Sequence, residues 1–477
     1  MAAKKETEKE KTTGESRAKE LMYKRTTIWE KLDKKETKKM DDFTKDYIDF
    51  LNKAKTERLA VEEGIRIAKE AGFRPISTYK KLKEGDRVYF SNREKTLFLA
   101  VIGKEPIENG IYAVGAHIDS PRLDLKPNPL YEADGMALLK THYYGGIKKY
   151  QWTTIPLAIH GVVVRKDGNK LNVSIGEEED EPVFCVTDLL PHLAREQANK
   201  PLREAITGEE LNVLFGGIPY EDDKVKEKVK LNILDILNKK YGMTERDFTS
   251  AELEIVPAFK ARYVGLDSAY VGGYGQDDRV CAYTALRAIC DMGLCTKTAV
   301  CVLADKEEVG SMGNTGMESR AFEFFLADLM NLKGEYDELA LKKALSRSKM
   351  LSADVDAGYD PTYASVMEKN NSCYLGEGVC VAKYSGHGGK SGGNDASAEF
   401  VGEVRKMFEE NDVAWQIGEL GKVDQGGGGT IAYYLADQGL DVIDCGVAVL
   451  SMHAPFEITS KADIYMAYKA YSVFMRH

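Results

Sequence analysis

Apolar positions in the first part of the chain recur at helical spacing and then change to the spacing of strands. In residues 38–71 the apolar side chains recur every three to four positions and Gly72 follows, which predicts one long helix or two broken ones. Short runs rich in small and β-branched residues at 87–90, 96–102 and 111–116 predict the first strands. A sheet therefore begins near residue 87.

The pattern changes again between residues 130 and 257. Segments 153–165 and 170–175 alternate between apolar and polar side chains, as half-exposed antiparallel strands do, and segment 224–241 has helical spacing. We interpret 130–257 as an inserted, β-rich domain.

After residue 258, continuous apolar strands alternate with helices. The predicted strands are 299–304, 350–353, 379–383, 413–417 and 442–451, and the predicted helices are 278–292, 320–332, 396–410, 430–438 and 461–475. This alternation predicts an α/β fold with a mostly parallel sheet covered by helices on both faces. Residues 36–129 and 258–477 would form one discontinuous domain, preceded by a charged arm at 1–35.

Composition and charge narrow the class of protein. The 477 residues are 43% hydrophobic and 30% charged, as in ordinary globular proteins, and the formal net charge of -10 gives no general attraction to nucleic acid. No apolar stretch is long enough to span a membrane, and the charged N-terminus lacks the apolar core of a secretory signal. The eight cysteines contain no C-x-x-C pair. We expect a cytoplasmic protein with reduced thiols and neither a nucleic-acid nor a membrane partner.

Residues able to bind metals follow several of the predicted strands. His117, Glu307 with Glu308, Asp354 and His453 come at or just after strand ends, and Asp277 opens a helix. Taken singly, each has a structural explanation, such as an N-cap for Asp277. In open α/β sheets, however, the carboxyl ends of the strands border one crevice, where converging carboxylates would repel one another without a cation.

The residue types indicate a particular metal chemistry. Two imidazoles with several carboxylates and no thiolate suit zinc, cobalt or manganese. A two-metal hydrolase needs a bridging carboxylate, terminal ligands on each side and a base beside the bridging water. Adjacent Glu307 and Glu308 can divide the roles of base and ligand.

At these residues the chain resembles the aspartyl aminopeptidase family of co-catalytic zinc metallopeptidases, in a bacterial-type form. The resemblance rests on Gly-Ala-His-Ile-Asp-Ser-Pro at 115–121, Asp-Asp-Arg at 277–279, Asp-Lys-Glu-Glu-Val-Gly-Ser at 305–311, Ser-Ala-Asp at 352–354 and Ser-Met-His at 451–453. It implies a zinc-peptidase fold and release of the N-terminal residue from peptides.

The resemblance also implies roles for single residues. His117 and Asp354 would bind one metal ion, Glu308 and His453 the other, and Asp277 would bridge them. Two divalent ions per chain are expected, zinc first, with cobalt or manganese as alternatives. Glu307 would be the general base for the attacking water and then protonate the leaving amine.

Three further expectations follow from the resemblance. Asp119 would fix the tautomer of the His117 ring. His192 would reach the active site of a neighbouring subunit, although an ordinary surface histidine is an equally good interpretation. The inserted domain would mediate self-association, with a dodecamer built from dimers.

Two alternatives to an aminopeptidase stay open at this point. One is a two-metal carboxypeptidase or deacylase of similar architecture, and the other is a non-catalytic scaffold stabilised by metal. The glycine-rich loop at 383–395 leaves a preference for acidic N-terminal residues open, since Lys383 or Lys390 could face an acidic side chain or lie in solvent.

Overall fold

A computed structural model describes residues 14–477, so the first thirteen residues of the predicted charged arm lie outside the described part. The helices are α1 (Gly14–Leu21), α2 (Lys34–Lys53), α3 (Glu57–Glu70), α4 (Arg195–Ala198), α5 (Leu202–Ala205), α6 (Lys228–Tyr241), α7 (Gln276–Asp291), α8 (Ala321–Lys333), α9 (Glu338–Ser346), α10 (Ala398–Glu410), α11 (Ala432–Ala436) and α12 (Lys461–Arg476). Of the described helices, none is long and apolar enough to cross a membrane.

The strands form three sheets. They are β1 (Arg74–Pro75), β2 (Arg87–Asn92), β3 (Thr96–Val101), β4 (Tyr112–His117), β5 (Arg122–Ala133), β6 (Met136–Tyr144), β7 (Leu157–Val164), β8 (Lys170–Ile175), β9 (Cys185–Val186), β10 (Val213–Gly216), β11 (Ala251–Pro257), β12 (Arg262–Val264), β13 (Tyr270–Gly273), β14 (Ala299–Ala304), β15 (Lys349–Ser352), β16 (Asp356–Ala357), β17 (Val379–Ala382), β18 (Trp415–Ile417), β19 (Asp441–Gly446), β20 (Ala448–Leu450) and β21 (Glu457–Ser460).

The largest sheet has nine strands in the order β1-β2-β3-β14-β4-β15-β19-β17-β18. Its four central strands, β14, β4, β15 and β19, run parallel, while β3 and β17 pair antiparallel to them. Alternate side chains of these strands enter two separate apolar clusters, one containing α2, α3, α7, α10 and α12 and the other containing α8, α9 and α11. The predicted α/β fold with helices on both faces is therefore confirmed.

The second sheet is antiparallel throughout, in the order β8-β7-β11-β5-β6-β10-β9, and has its own apolar core together with α6. It starts at Arg122, eight residues before the predicted boundary at 130. The chain enters the second sheet directly after the turn that follows His117, and β5 pairs with β11 from Leu123 onward. The third sheet, β12-β13-β21-β20-β16, is formed by segments of the C-terminal half that are far apart in the sequence.

The pattern at 38–71, predicted as one long helix or two broken ones, forms two helices, α2 and α3, and the Thr56 side chain caps the second. The strand predicted at 442–451 is two strands in different sheets, β19 and β20. The change occurs at Gly446, where a Cβ atom would lie 1.7 Å from the carbonyl oxygen of Asp354, so that only glycine allows this approach.

Candidate metal centre

The carboxyl ends of three adjacent parallel strands supply much of the site. His117 is the last residue of β4, Glu307 and Glu308 lie in a short 3-10 turn shortly after β14, and Asp354 follows β15. His453 lies in the turn between β20 and β21. Since β14, β4 and β15 are neighbours, their ends meet at one edge of the sheet.

Asp277 reaches this edge from the first turn of α7. The preceding Gly275 has φ +76°, and a Cβ atom there would lie 1.7 Å from the Arg279 guanidinium. Glycine at 275 therefore lets the chain turn sharply into α7 above a buried arginine. Arg279 in turn donates to Ser120 Oγ (2.8 Å), and Ser120 Oγ donates to the carbonyl oxygen of Asp277 (2.6 Å).

The Asp277 carboxylate lies between the two histidines. Its Oδ1 is 3.0 Å from His117 Nε2 and its Oδ2 is 3.1 Å from His453 Nε2. Each oxygen thus faces a different imidazole. A carboxylate in this position can contribute one oxygen to each of two cations, which is what a bridging ligand does.

The remaining carboxylates complete two overlapping groups. Atoms of His117, Asp277 and Glu308 lie within 4.8 Å of one another, and so do atoms of His117, Glu307 and Asp354. Glu308 Oε2 is also 3.5 Å from His453 Nε2. The second oxygen of Glu308, Oε1, is buried and accepts no hydrogen bond from the described residues. Buried carboxylates with a free lone pair, next to imidazole nitrogens, fit divalent cations of the zinc type.

Burial and mutual repulsion dominate the electrostatics of the carboxylates. Burial raises the pKa of Glu307 to about 7, and the Asp119 and Asp277 charges add to the increase while His117 opposes it. Burial likewise raises the pKa of Glu308 and of Asp354 well above the usual range. A site without a cation would therefore hold protons that a bound cation displaces.

The two imidazoles shift in the direction expected beside carboxylates. Burial alone would lower the pKa of His117, but its hydrogen bonds to Asp119 and Asp277 raise it well above the ordinary value. Burial would also lower the pKa of His453, but the hydrogen bond to Asp277 and the charge of Glu308 raise it to about 10. Both rings therefore lie in a strongly negative environment, which attracts cations.

Asp119 contacts more of the site than the sequence indicated. Its carboxylate lies 3.3 Å from His117 Nδ1, but the nearer contact of that nitrogen is the carbonyl oxygen of Asp119, at 3.0 Å. The same carboxylate accepts hydrogen bonds from the backbone N–H groups of Glu307 (3.1 Å) and Glu308 (3.2 Å). Asp119 thus fixes the turn that presents both glutamates, in addition to orienting the ring.

Two residues of this environment were missed by sequence reasoning. The buried Glu457 accepts hydrogen bonds from the backbone N–H groups of His453 (2.7 Å) and Asp277 (3.2 Å). Tyr144 donates its hydroxyl proton to Asp119 Oδ2 (2.8 Å). The only sequence signal for Glu457 was its position four residues after His453. No sequence signal pointed to Tyr144.

A cavity of about 910 Å³ opens beside the metal centre. Its wall includes Asp277, Glu307, Glu308, Asp354 and His453, and both glycine-rich loops, at 383–395 and 424–430, contribute to it. His192 is not part of this wall: it lies exposed in a turn of the segment between β9 and α4. Within one chain, therefore, the structure brings together every predicted site residue except His192.

Comparison with known proteins relates this geometry to a family. A family model described as "Aminopeptidase I zinc metalloprotease (M18)" matches residues 50–475. A probable M18 family aminopeptidase of Clostridium acetobutylicum is 55% identical over 462 residues, covering 96% of this chain and 99% of that protein. The crystal structure of an M18 aminopeptidase from Thermotoga maritima superposes with a TM-score of 0.92, at 46% identity, covering 95% of this chain and 99% of that one.

A solved aminopeptidase dodecamer from S. cerevisiae is more distant. It is 21% identical, with a TM-score of 0.74 and coverage of 92% of this chain and 97% of that one. At this identity the likeness concerns the fold.

Proposed function

The chain belongs to the Aminopeptidase I zinc metalloprotease (M18) family and is a metallo-aminopeptidase, and from that premise we propose how its residues divide the reaction. Asp277 would be the ligand shared by two zinc ions, His117 and Asp354 would complete one ligand set, and Glu308 and His453 would complete the other. The position of Asp277 between the two imidazoles is the observation that supports this assignment most directly. The carboxypeptidase, deacylase and scaffold alternatives are not favoured, because the relatives over the full length are aminopeptidases.

Divalent ions held by these residues would supply Lewis acidity that polarises the scissile carbonyl and lowers the pKa of water. Glu307 accepts the proton of the attacking water at its carboxylate oxygen. The hydroxyl adds to the carbonyl carbon, the C–N bond breaks, and Glu307 returns the proton to the leaving amine nitrogen. Burial raises the pKa of Glu307 to about 7, which supports a role that needs the carboxylate both to accept and to return a proton.

Asp119 and Tyr144 contribute to the reaction by positioning the two glutamates. Asp119 holds the backbone N–H groups of Glu307 and Glu308, and Tyr144 orients the Asp119 carboxylate. A base must lie within hydrogen-bond reach of the water that it deprotonates. The Asp119 contacts maintain that placement.

The experiment that tests the role of Glu307 is the substitution Glu307→Gln. Turnover of unblocked peptides and aminoacyl-p-nitroanilides should fall by roughly 10²- to 10⁴-fold, while metal content measured by mass spectrometry stays unchanged. The matched control is Glu318→Gln, which removes an exposed carboxylate and should retain turnover. Undiminished turnover in Glu307→Gln would show that another group is the base.

We also propose that the chain assembles through the second sheet into a dodecamer built from dimers and acts on peptides in the cytoplasm. Leu189, Leu190 and Leu193 flank His192 in the sequence, and each is at least 50% exposed, so self-association would cover apolar side chains in this segment. The S. cerevisiae dodecamer has the same fold. All eight cysteines are free, as expected in a reducing compartment.

Sedimentation analysis gives the subunit number directly. If His192 reaches a neighbouring active site, His192→Ala should lower kcat with the assembly intact. An unchanged kcat would identify it as an ordinary surface histidine.

A further inference from the structure

A second group of carboxylates lines the cavity beyond the ligands of the metal centre. Asp356 opens β16, Asp444 lies on β19 opposite Ala382 of β17, and Glu419 follows β18. All three line the same cavity as the metal centre. We call these three residues the acidic wall.

Two members of the acidic wall are buried and incompletely hydrogen-bonded. Asp356 and Asp444 are only 6% and 5% exposed. Asp356 Oδ1 accepts the backbone N–H of Ala357 (2.7 Å), and Asp444 Oδ1 accepts the hydroxyl of Thr430 (2.6 Å). Asp356 Oδ2 has no hydrogen-bond partner among the described residues. Asp444 Oδ2 likewise makes no hydrogen bond of good geometry, with the Ser352 and Ser385 side chains as the neighbouring donors of its carboxylate. Leaving a buried carboxylate oxygen unpaired is costly, so a donor from outside the chain would stabilise the wall.

The cations of the cavity do not compensate the acidic wall. Lys390 forms an ion pair with Asp395 (2.8 Å), and Lys422 donates to the carbonyl oxygen of Ser365 (2.7 Å). Across residues 14–477, no lysine, arginine or histidine lies within ion-pair distance of Asp356, Asp444 or Glu419. No cation of the described chain therefore neutralises the acidic wall.

The space beside the acidic wall suits a long side chain. Glycines at 386, 388, 389 and 392 and the run 426–429 line the cavity without filling it. Gly418 lets the Asp356 carboxylate pack against the backbone, since a Cβ atom there would lie 2.0 Å from Asp356 Oδ2. Tyr384 donates to Glu419 (3.2 Å), which holds that carboxylate in place at the cavity edge.

We propose that the acidic wall binds the cationic side chain of the substrate's N-terminal residue, so that peptides beginning with lysine or arginine are preferred. The inference rests on the aminopeptidase function, which places the N-terminal residue beside the metal centre. The ammonium or guanidinium group supplies the donors that Asp356 and Asp444 lack. An acidic N-terminal side chain would be repelled from the same position.

The test compares Lys-, Arg-, Met- and Glu-p-nitroanilide, of which Met approximates the length of Lys without its charge. The wild-type kcat/KM for Lys and Arg should exceed that for Met by at least about tenfold, and Glu should be the poorest substrate. Asp356→Asn and Asp444→Asn should each lower kcat/KM for Lys by roughly 10- to 100-fold and change that for Met by less than about twofold. The matched control is Asp412→Asn, an exposed aspartate with φ +53°, a conformation that asparagine also adopts.

Several results would overturn the proposal. A wild-type preference for Met or Glu would do so, as would an unchanged Lys-to-Met ratio in the asparagine variants. If Asp356→Asn or Asp444→Asn does not fold, the half-buried Glu419 provides the replacement test. The proposal then requires Glu419→Gln to lower the ratio of kcat/KM for Lys to that for Met. Loss of a metal ion from Asp356→Asn would instead assign the wall to a metal. Hydrolysis of Met without any charge preference would refute the acidic wall alone, whereas no hydrolysis of any substrate would refute the aminopeptidase function.

Discussion

Substituting Glu457 by glutamine should weaken metal binding although Glu457 is not itself a proposed ligand. The wild-type carboxylate, 1% exposed, accepts backbone N–H hydrogen bonds from the proposed terminal ligand His453 and from the proposed bridging ligand Asp277. Glutamine offers one carbonyl oxygen and one amide group, so one of the two N–H groups would lose its acceptor and face a donor.

The size of the effect follows from that lost contact. Leaving a buried backbone donor without an acceptor costs about 1–3 kcal/mol, and here the loss would disturb the placement of His453 and Asp277. Substitutions of groups that orient metal ligands typically cost about 10- to 100-fold in metal affinity. We therefore expect the zinc affinity of Glu457→Gln to fall by roughly 10- to 100-fold.

The measurement is zinc titration of the metal-stripped protein against a fluorescent chelator, with turnover recorded at saturating zinc. A positioning role predicts weaker zinc binding together with kcat largely restored at saturating zinc. The control variant is Glu410→Gln, which removes an exposed carboxylate paired with Lys406 at 3.8 Å and should leave affinity unchanged. Wild-type zinc affinity in Glu457→Gln would refute the reasoning, as would a folded protein whose turnover zinc does not restore.

Two further predictions concern one proposed metal ligand and one ion pair. His453→Ala should lower the occupancy of one of two metal ions, measured by mass spectrometry, and full occupancy would remove His453 from the ligand set. Burial opposes the shift, but the His160 hydrogen bond (2.9 Å) and the Lys55 charge lower the pKa of Glu177 to about 2. This contribution to stability is complete above the unfolded pKa near 4.5 and is lost as the pH falls through 2. Thermal unfolding should therefore show Glu177→Gln less stable than wild type at pH 7, by about 2–3 kcal/mol. The difference in the free energy of unfolding should shrink below pH 4.5. A difference that does not change with pH would contradict the connection between the Glu177 pKa and stability.

The order of strands and helices was accessible from the sequence because it depends on neighbouring residues. Continuous apolar runs such as β14 and the helical period of α12 are local signals. The division of the 442–451 strand was not accessible, since it depends on contact between Gly446 and the backbone of Asp354, which is distant in sequence. The early start of the second sheet was missed for the same reason, because β5 is defined by its pairing with β6 and β11.

The order of residues along the chain was enough to predict which residue types could meet at the carboxyl edge of the sheet. His117, Glu307, Glu308 and Asp354 follow strand ends, and a parallel sheet places such ends together. The folded chain was needed to see that the two oxygens of Asp277 face different imidazoles, and that Glu457 links His453 to Asp277. It also decided that Asp356 and Asp444 share one cavity wall. These relations join segments tens to hundreds of residues apart, and their geometry depends on how the packed elements orient each side chain, which no local pattern encodes.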